Sequence, residues 1–226
     1  MKVIAPSHEI LLMPAPEDIL ALIETAGRTC YKSEHLVSHD SAPKFISRIV
    51  ASGHHSVIEH AGVSVRFICD RGVTHELVRH RLAAYSQEST RYANYSQERF
   101  GRQITVIRPL FWPRSSPQYQ AWLAAMAAAE KAYLELLELG ARPEQARSVL
   151  PNSLKTEIVM SANLREWRHV FTLRCSKAAH PQIREITLPL LEEMHQRVPV
   201  LFDDLWENYA GDLAKLRDQI AAWDQD

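Results

Sequence analysis

The stretch Ala61–Cys69 alternates, with Val63, Val65 and Phe67 set against Ser64, Arg66 and Ile68. A period of two puts the two sets on opposite faces of an extended strand, so one face requires a covering layer. Helical patterns on either side can supply it. Pro16 opens one that runs through Ile19, Leu20, Leu22, Ile23 and Ala26 to a stop at Gly27. Ala42–Ser52 carries Phe45, Ile46, Ile49 and Val50 on one face and stops at Gly53. Ser116–Leu139, rich in alanine and leucine and closed by Gly140, is the clearest helix. Asn163–Arg174 and Pro181–Arg197 also read as helices, and Arg142–Leu150 as a short one entered through Pro143.

Further extended segments are expected at Met1–Met13 and Gln103–Arg108. Leu154–Ala162 fits a strand or a helix, and Thr156, Ile158 and Val159 favour the strand. Asp70-Arg71-Gly72 reads as a turn, and Val73–Arg81 as the start of a helix. The tail Phe202–Trp223 is amphipathic and suits packing on the body or on a partner subunit. With no repeat, low-complexity tract or Gly/Ser linker, one α+β domain over residues 1–226, ending in a helical tail, is the simplest account.

The chain has 226 residues, 46% of them apolar and 23% charged, which is ordinary globular composition. A formal net charge of −1 gives no reason to expect binding to long nucleic acids or to a membrane. No segment reaches the roughly 20 apolar residues of a membrane helix. Cys30, Cys69 and Cys175 are widely spaced and form no CxxC pair or metal pattern, as expected of reduced thiols in the cytoplasm.

Chemistry concentrates in Arg79-His80-Arg81-Leu82-Ala83-Ala84-Tyr85-Ser86-Gln87-Glu88-Ser89-Thr90-Arg91-Tyr92. Guanidinium forks match phosphate oxygens two at a time, and hydroxyls and backbone N–H groups add to such a site. A helix giving way to a loop here would form a pocket for a phosphate ligand. Like charges this dense repel one another unless an anion sits among them. Taken singly, each of these residues is better read as part of a solvated charged helix end; taken together they are not. Two other segments are polar in the same way. Gly53-His54-His55-Ser56-Val57-Ile58-Glu59-His60 clusters histidines, but in no zinc spacing, so no metal is expected. Asn163-Leu164-Arg165-Glu166-Trp167-Arg168-His169 begins at an N-cap asparagine and leads to Arg174, which also suits a residue satisfying terminal carbonyls.

Together these segments resemble the flavin-dependent thymidylate synthases. That family is marked by Arg-His-Arg, seven residues, then Ser, which stands here as Arg79-His80-Arg81 and Ser89. The extension Gln87-Glu88-Ser89-Thr90-Arg91-Tyr92, the histidine block before it and the Asn163–His169 block after it follow the family's order. Arg147 also fits a family position, and the likeness spans about residues 20–200.

The resemblance implies a homotetramer with a central antiparallel sheet, flanking helices and FAD pockets shared between subunits. It implies FAD contacts at Ser56, Arg79, His80, Arg81, Glu88, Asn163, Arg165 and His169, with His54 beside the flavin near the folate. It implies dUMP contacts at Glu76, Leu77, Val78, Arg79, Glu88, Ser89, Thr90, Arg91, Arg147 and Arg174, the last two from a different subunit than the motif loop. Family members often carry Gln at the position of Glu76.

The implied reaction is reductive methylation of dUMP to dTMP. Its one-carbon donor is 5,10-methylenetetrahydrofolate, FAD is the hydride carrier and NADPH the reductant. Arg174 would stabilise negative charge on the uracil ring. No cysteine nucleophile lies in the arginine cluster, Ser89 is read as a binding residue, and no GxGxxG points to a Rossmann crevice. Two other readings use the same residues: a flavoprotein acting on a different nucleotide, and a non-catalytic nucleotide- or RNA-binding protein with Tyr85, Tyr92 and Tyr95 as stacking platforms.

Overall fold

The computed structural model describes residues 1–226. Its sheet is built from β2 (Ser7–Leu12), β3 (Gly62–Asp70), β6 (Lys155–Asn163) and β4 (Ala83–Gln87), antiparallel throughout and in the order β2-β3-β6-β4. A separate parallel pair joins β1 (Lys2–Ile4) to β5 (Thr105–Ile107). β3 and β6 run the full length of each other, from Gly62 opposite Asn163 to Asp70 opposite Lys155. Their alternation has the physical consequence expected of it. Val63, Val65, Phe67, Ile158 and Met160 are buried, while Ser64, Arg66, Glu157 and Ser161 line a more open, polar face.

The buried face is covered by helices α1 (Pro16–Tyr31), α2 (Ser41–Ala51), α6 (Leu164–Arg174) and α7 (Pro181–Arg197). Gly27 does not end α1. It lies within the helix, where an added Cβ would come 2.5 Å from the Phe45 ring, so the glycine permits close approach of α2. Gly53, at φ +71°, does break the chain after α2, as expected. The helix α4 (Pro117–Glu138) is capped by the Ser116 side chain and covers a smaller core of Tyr95, Ile104, Val106 and Tyr133. After it come the short α5 (Pro143–Ala146) and a 3₁₀ turn at Arg147–Val149.

The tail forms α8 (Asp203–Gln225) and packs on the body. Leu213, Leu216 and Trp223 join the main core, and Trp223 Nε1 donates to the Trp112 carbonyl at 2.9 Å. No helix is long and apolar enough to cross a membrane.

Around the arginine motif the structure departs from expectation in two ways. The segment Asp70-Arg71-Gly72 is no free turn: Asp70 caps α3 (Arg71–Leu77), accepting from Val73 N at 2.7 Å. That helix ends at Leu77 rather than Arg81. The motif's middle is then the edge strand β4, not a loop, paired to β6 from Ala83 opposite Ala162 to Gln87 opposite Ile158. Alanine-rich Ala83–Gln87 has weak strand propensity, and the ladder with β6 overrides it.

Candidate active site

The strand β4 divides the motif into two groups. Its ends, Ala83 and Gln87, lie four residue steps apart, roughly 13 Å at strand rise. Arg79, His80 and Arg81 precede it, beside the end of β6 where α6 begins. Glu88, Ser89, Thr90 and Arg91 follow it, beside Lys155 and Glu157. The arginines therefore do not crowd one pocket within the chain.

At the first end, the turn from α3 into β4 is held by Tyr85, whose hydroxyl lies 2.7 Å from the Leu77 carbonyl and 2.8 Å from that of His80. Arg174, the last residue of α6, reaches into this turn. Its Nε donates to His80 Nε2 at 3.0 Å, its Nη1 to Glu76 Oε2 at 2.8 Å and its Nη2 to the Glu76 carbonyl at 3.0 Å. Arg174 thus bonds side chains and a carbonyl of α3 and the following turn rather than the carbonyls of its own helix end. His80 is 3% exposed, and its Nδ1 faces Glu166 Oε1 at 3.2 Å. Burial, then the charges of Arg174 and His169, push the His80 imidazole down to about 4, so it is neutral near pH 7.

Most other expected residues at this end are open. Arg79 and Arg81 are exposed beside His75 and Val78, and Arg79 Nε donates only to the His75 carbonyl at 3.3 Å. Leu77 is fully buried, so its side chain belongs to the core, whereas Val78 is exposed. Asn163 caps α6, its Oδ1 accepting from Glu166 N at 2.9 Å. Arg165 pairs with Glu59, and His169 is exposed, its ring 5.5 Å from that of His80. A cleft of about 750 Å³ runs between them, lined by His55, Glu59, Leu82, Asn163, Arg165 and His169 among others. Ser56 and His54, the chain neighbours of His55, are exposed, and His54 Nδ1 lies 2.9 Å from the Tyr31 hydroxyl. The histidines of the 53–60 segment do not converge. Instead His80, Glu166 and His169 bring ligand-type atoms within 4.8 Å of one another. In that group the Arg174 guanidinium already occupies His80 Nε2, which opposes a cation there.

At the second end, Glu88 accepts from Lys155 Nζ and from the Tyr95 hydroxyl, both at 3.1 Å. Ser89 and Thr90 form the turn after it, Thr90 buried and Ser89 accepting from Arg91 N at 3.3 Å. The Arg91 guanidinium is exposed and lies 5.6 Å over the Tyr92 ring. Glu88, Ser89, Tyr92 and Lys155 border a hollow on the polar face of the sheet, lined also by Arg66, Ser86, Phe100 and Val159. Arg147 is exposed on its 3₁₀ turn.

Sequence reasoning gave no role to Glu166 or Lys155, and took Tyr85 only as a stacking platform, whereas its hydroxyl holds the turn before β4. Glu166 was visible as the acidic residue three after an N-cap asparagine, a pattern that ordinarily points back to the cap. Here its carboxylate turns inward to His80 instead.

The chain is similar to known proteins both in sequence and in fold. Residues 12–200 match the family model described as thymidylate synthase complementing protein. The flavin-dependent thymidylate synthase of Pyrococcus furiosus is 36% identical over 178 residues, covering 78% of this chain and 72% of that protein. That of Geobacter sulfurreducens is 35% identical over 198 residues, covering 84% and 82%. Among solved structures, the UMP/dUMP methylase PolB of Streptomyces cacaoi, bound to 5-Br dUMP, superposes with a TM-score of 0.73 at 20% identity, covering 92% of this chain and 98% of that one. The fold is therefore shared with that methylase, and by sequence the chain belongs to the flavin-dependent thymidylate synthase family.

Proposed function

We propose that this protein makes dTMP by reductive methylation of dUMP, with FAD as hydride carrier, NADPH as reductant and 5,10-methylenetetrahydrofolate as one-carbon donor. The observation that carries the reading is Arg174. Three of its five N–H groups are anchored within the fold, which leaves two for a ligand. A guanidinium so placed, facing a uracil ring, stabilises negative charge there and makes C5 electron-rich. Arg91, with no carboxylate partner, supplies a fork for the nucleotide phosphate, and the Ser89 and Thr90 segment supplies neutral donors.

The cleft beside α6 suits a flavin nucleotide. Leu82, 75% exposed, offers an apolar platform, and Asn163, Arg165, His169 and the neighbouring Arg81 offer donors for a pyrophosphate and rings. Arg165 would exchange Glu59 for phosphate. Ser56 and His54, next to His55 in the chain, together with Arg79, complete this cofactor set, and Glu88 and Arg147 complete the nucleotide set with Glu76. When bound, reduced FAD supplies the hydride. The chain's own residues bind and orient the nucleotide and hold charge at its base. Because Arg174 and Arg91 lie at opposite ends of β4, a single nucleotide is best contacted by residues of two copies. Exposed Val78, Leu82 and Tyr92 beside them favour such association, and a homotetramer is the assembly we infer.

The test is direct. Purified protein reconstituted with FAD should turn yellow, oxidise NADPH and convert dUMP to dTMP only when methylenetetrahydrofolate is present. A colourless protein that takes up no flavin and forms no dTMP would remove this reading.

A further inference from the structure

Arg174 ends its helix, a place where a long side chain ordinarily samples many rotamers. Its direction here is set from behind. A guanidinium has only donors and does not lose its proton in proteins, so the His80 Nε2 facing it at 3.0 Å must carry a lone pair. The single proton of the neutral ring is then on Nδ1, facing the Glu166 carboxylate at 3.2 Å. Glu166 is itself buried, on the first turn of α6, where its backbone N–H donates to Asn163 Oδ1 at 2.9 Å. Both nitrogens of His80 are thereby engaged inside the chain, and the other tautomer would set two N–H groups against each other at the Arg174 contact.

We propose that His80 and Glu166 are positioning residues for Arg174. Glu166 selects the Nδ1–H tautomer of His80, and the lone pair left on Nε2 fixes the rotation of the Arg174 guanidinium, aiming its two remaining N–H groups at the nucleotide base. This rests on the reading of Arg174 as a nucleotide contact. It requires no contact between Glu166 and any ligand.

The deciding measurement on the unchanged protein is the nitrogen NMR spectrum of histidine-labelled chain. His80 should show a protonated Nδ1 and an unprotonated Nε2 at neutral pH. A protonated Nε2 would overturn the proposal whether or not the protein makes dTMP, so this result is separable from failure of the proposed function.

Kinetics give the second readout. In His80→Leu and in Glu166→Leu, kcat for dTMP formation should fall on the order of a hundredfold, the scale of a misplaced reacting group. The KM for dUMP should stay within about threefold and flavin absorbance should persist. His80→Gln, which can restore an acceptor near Nε2, should recover about tenfold of that loss, and the double leucine variant should be no worse than either single one. Unchanged kcat in both leucine variants, or losses that simply add, would overturn the positioning role. Should the leucine variants not fold, the tautomer and the glutamine variant decide.

Discussion

Arg174 and Glu76, 98 residues apart in sequence, are joined twice: Nη1 donates to Glu76 Oε2 at 2.8 Å and Nη2 to the Glu76 carbonyl at 3.0 Å. The pair ties the end of α6 to the end of α3, the two elements that frame the Arg79–Arg81 turn. Its side chains are 17% and 30% exposed, so water screens the charges only in part.

Replacing Glu76 with Ala removes the carboxylate but leaves the carbonyl and His80 as acceptors. We expect a stability loss of only about 1 kcal/mol, as for a partly exposed pair. The effect on kcat should be larger, about tenfold or more, because the guanidinium regains rotational freedom. Glu76→Gln, which keeps an oxygen acceptor, should lie between the two. Urea titration and steady-state kinetics on the same preparations check both numbers.

Arg174→Ala should lower dTMP formation by roughly 10²–10³-fold, the range for losing a donor aimed at developing charge. Flavin content should stay near that of the unchanged protein, read from visible absorbance. Near-normal turnover in this variant would exclude a role for Arg174 at the uracil ring.

Arg91→Ala tests the other end of β4. Loss of a phosphate fork should raise the KM for dUMP by about tenfold or more while kcat changes little, the pattern of an interaction made equally in ground and transition states. A fall in kcat at unchanged KM would place Arg91 away from the phosphate.

Stability should depend on pH through two buried groups of opposite sign. The His80 imidazole is lowered from 6.5 to about 4, chiefly by burial. Its contribution is present above pH 6.5 and is lost as pH falls through about 4. The Glu185 carboxyl is raised from 4.5 to about 7 by burial, against the pull of Arg108 at 2.8 Å. Its contribution is present below pH 4.5 and is lost as pH rises through about 7. The slopes oppose each other in the shared window. His80→Gln should therefore leave stability falling as pH rises, and Glu185→Gln should leave it rising. The second variant should otherwise stay within about 1 kcal/mol of the unchanged protein at the acid end of that window, because glutamine mimics the neutral carboxyl that the buried site favours there. Urea midpoints across that window measure both slopes.

Trp223 anchors the terminal helix. It is buried, donates to the Trp112 carbonyl, and has the guanidinium groups of Arg108 and Arg114 at 4.8 and 4.0 Å from its ring. Trp223→Ala should cost about 3–5 kcal/mol, read by thermal or urea unfolding. A loss below about 1 kcal/mol would show that α8 contributes little to the core.

Much of the fold is legible in local pattern. The alternation in Ala61–Cys69, the helical faces at Phe45–Val50 and Ser116–Leu139, and the Asn163 cap each express a periodicity or a backbone donor that neighbouring residues settle among themselves. The family motif, too, is a matter of residue order alone. β4 and the extent of α3 were not legible, because Ala83–Gln87 becomes a strand only through its ladder with β6, more than seventy positions away.

Local order determined that arginines, a histidine and hydroxyl residues would stand close together in the chain. Tertiary structure decided that they divide between two ends of one strand, that His80 is buried and neutral, and that Arg174 is held by Glu76 and His80. The physical reason is that hydrogen-bond partnership and burial depend on distance in space. The residues that set the Arg174 guanidinium, Glu76, His80 and Glu166, come together only when α3, β4 and α6 meet at one corner of the sheet.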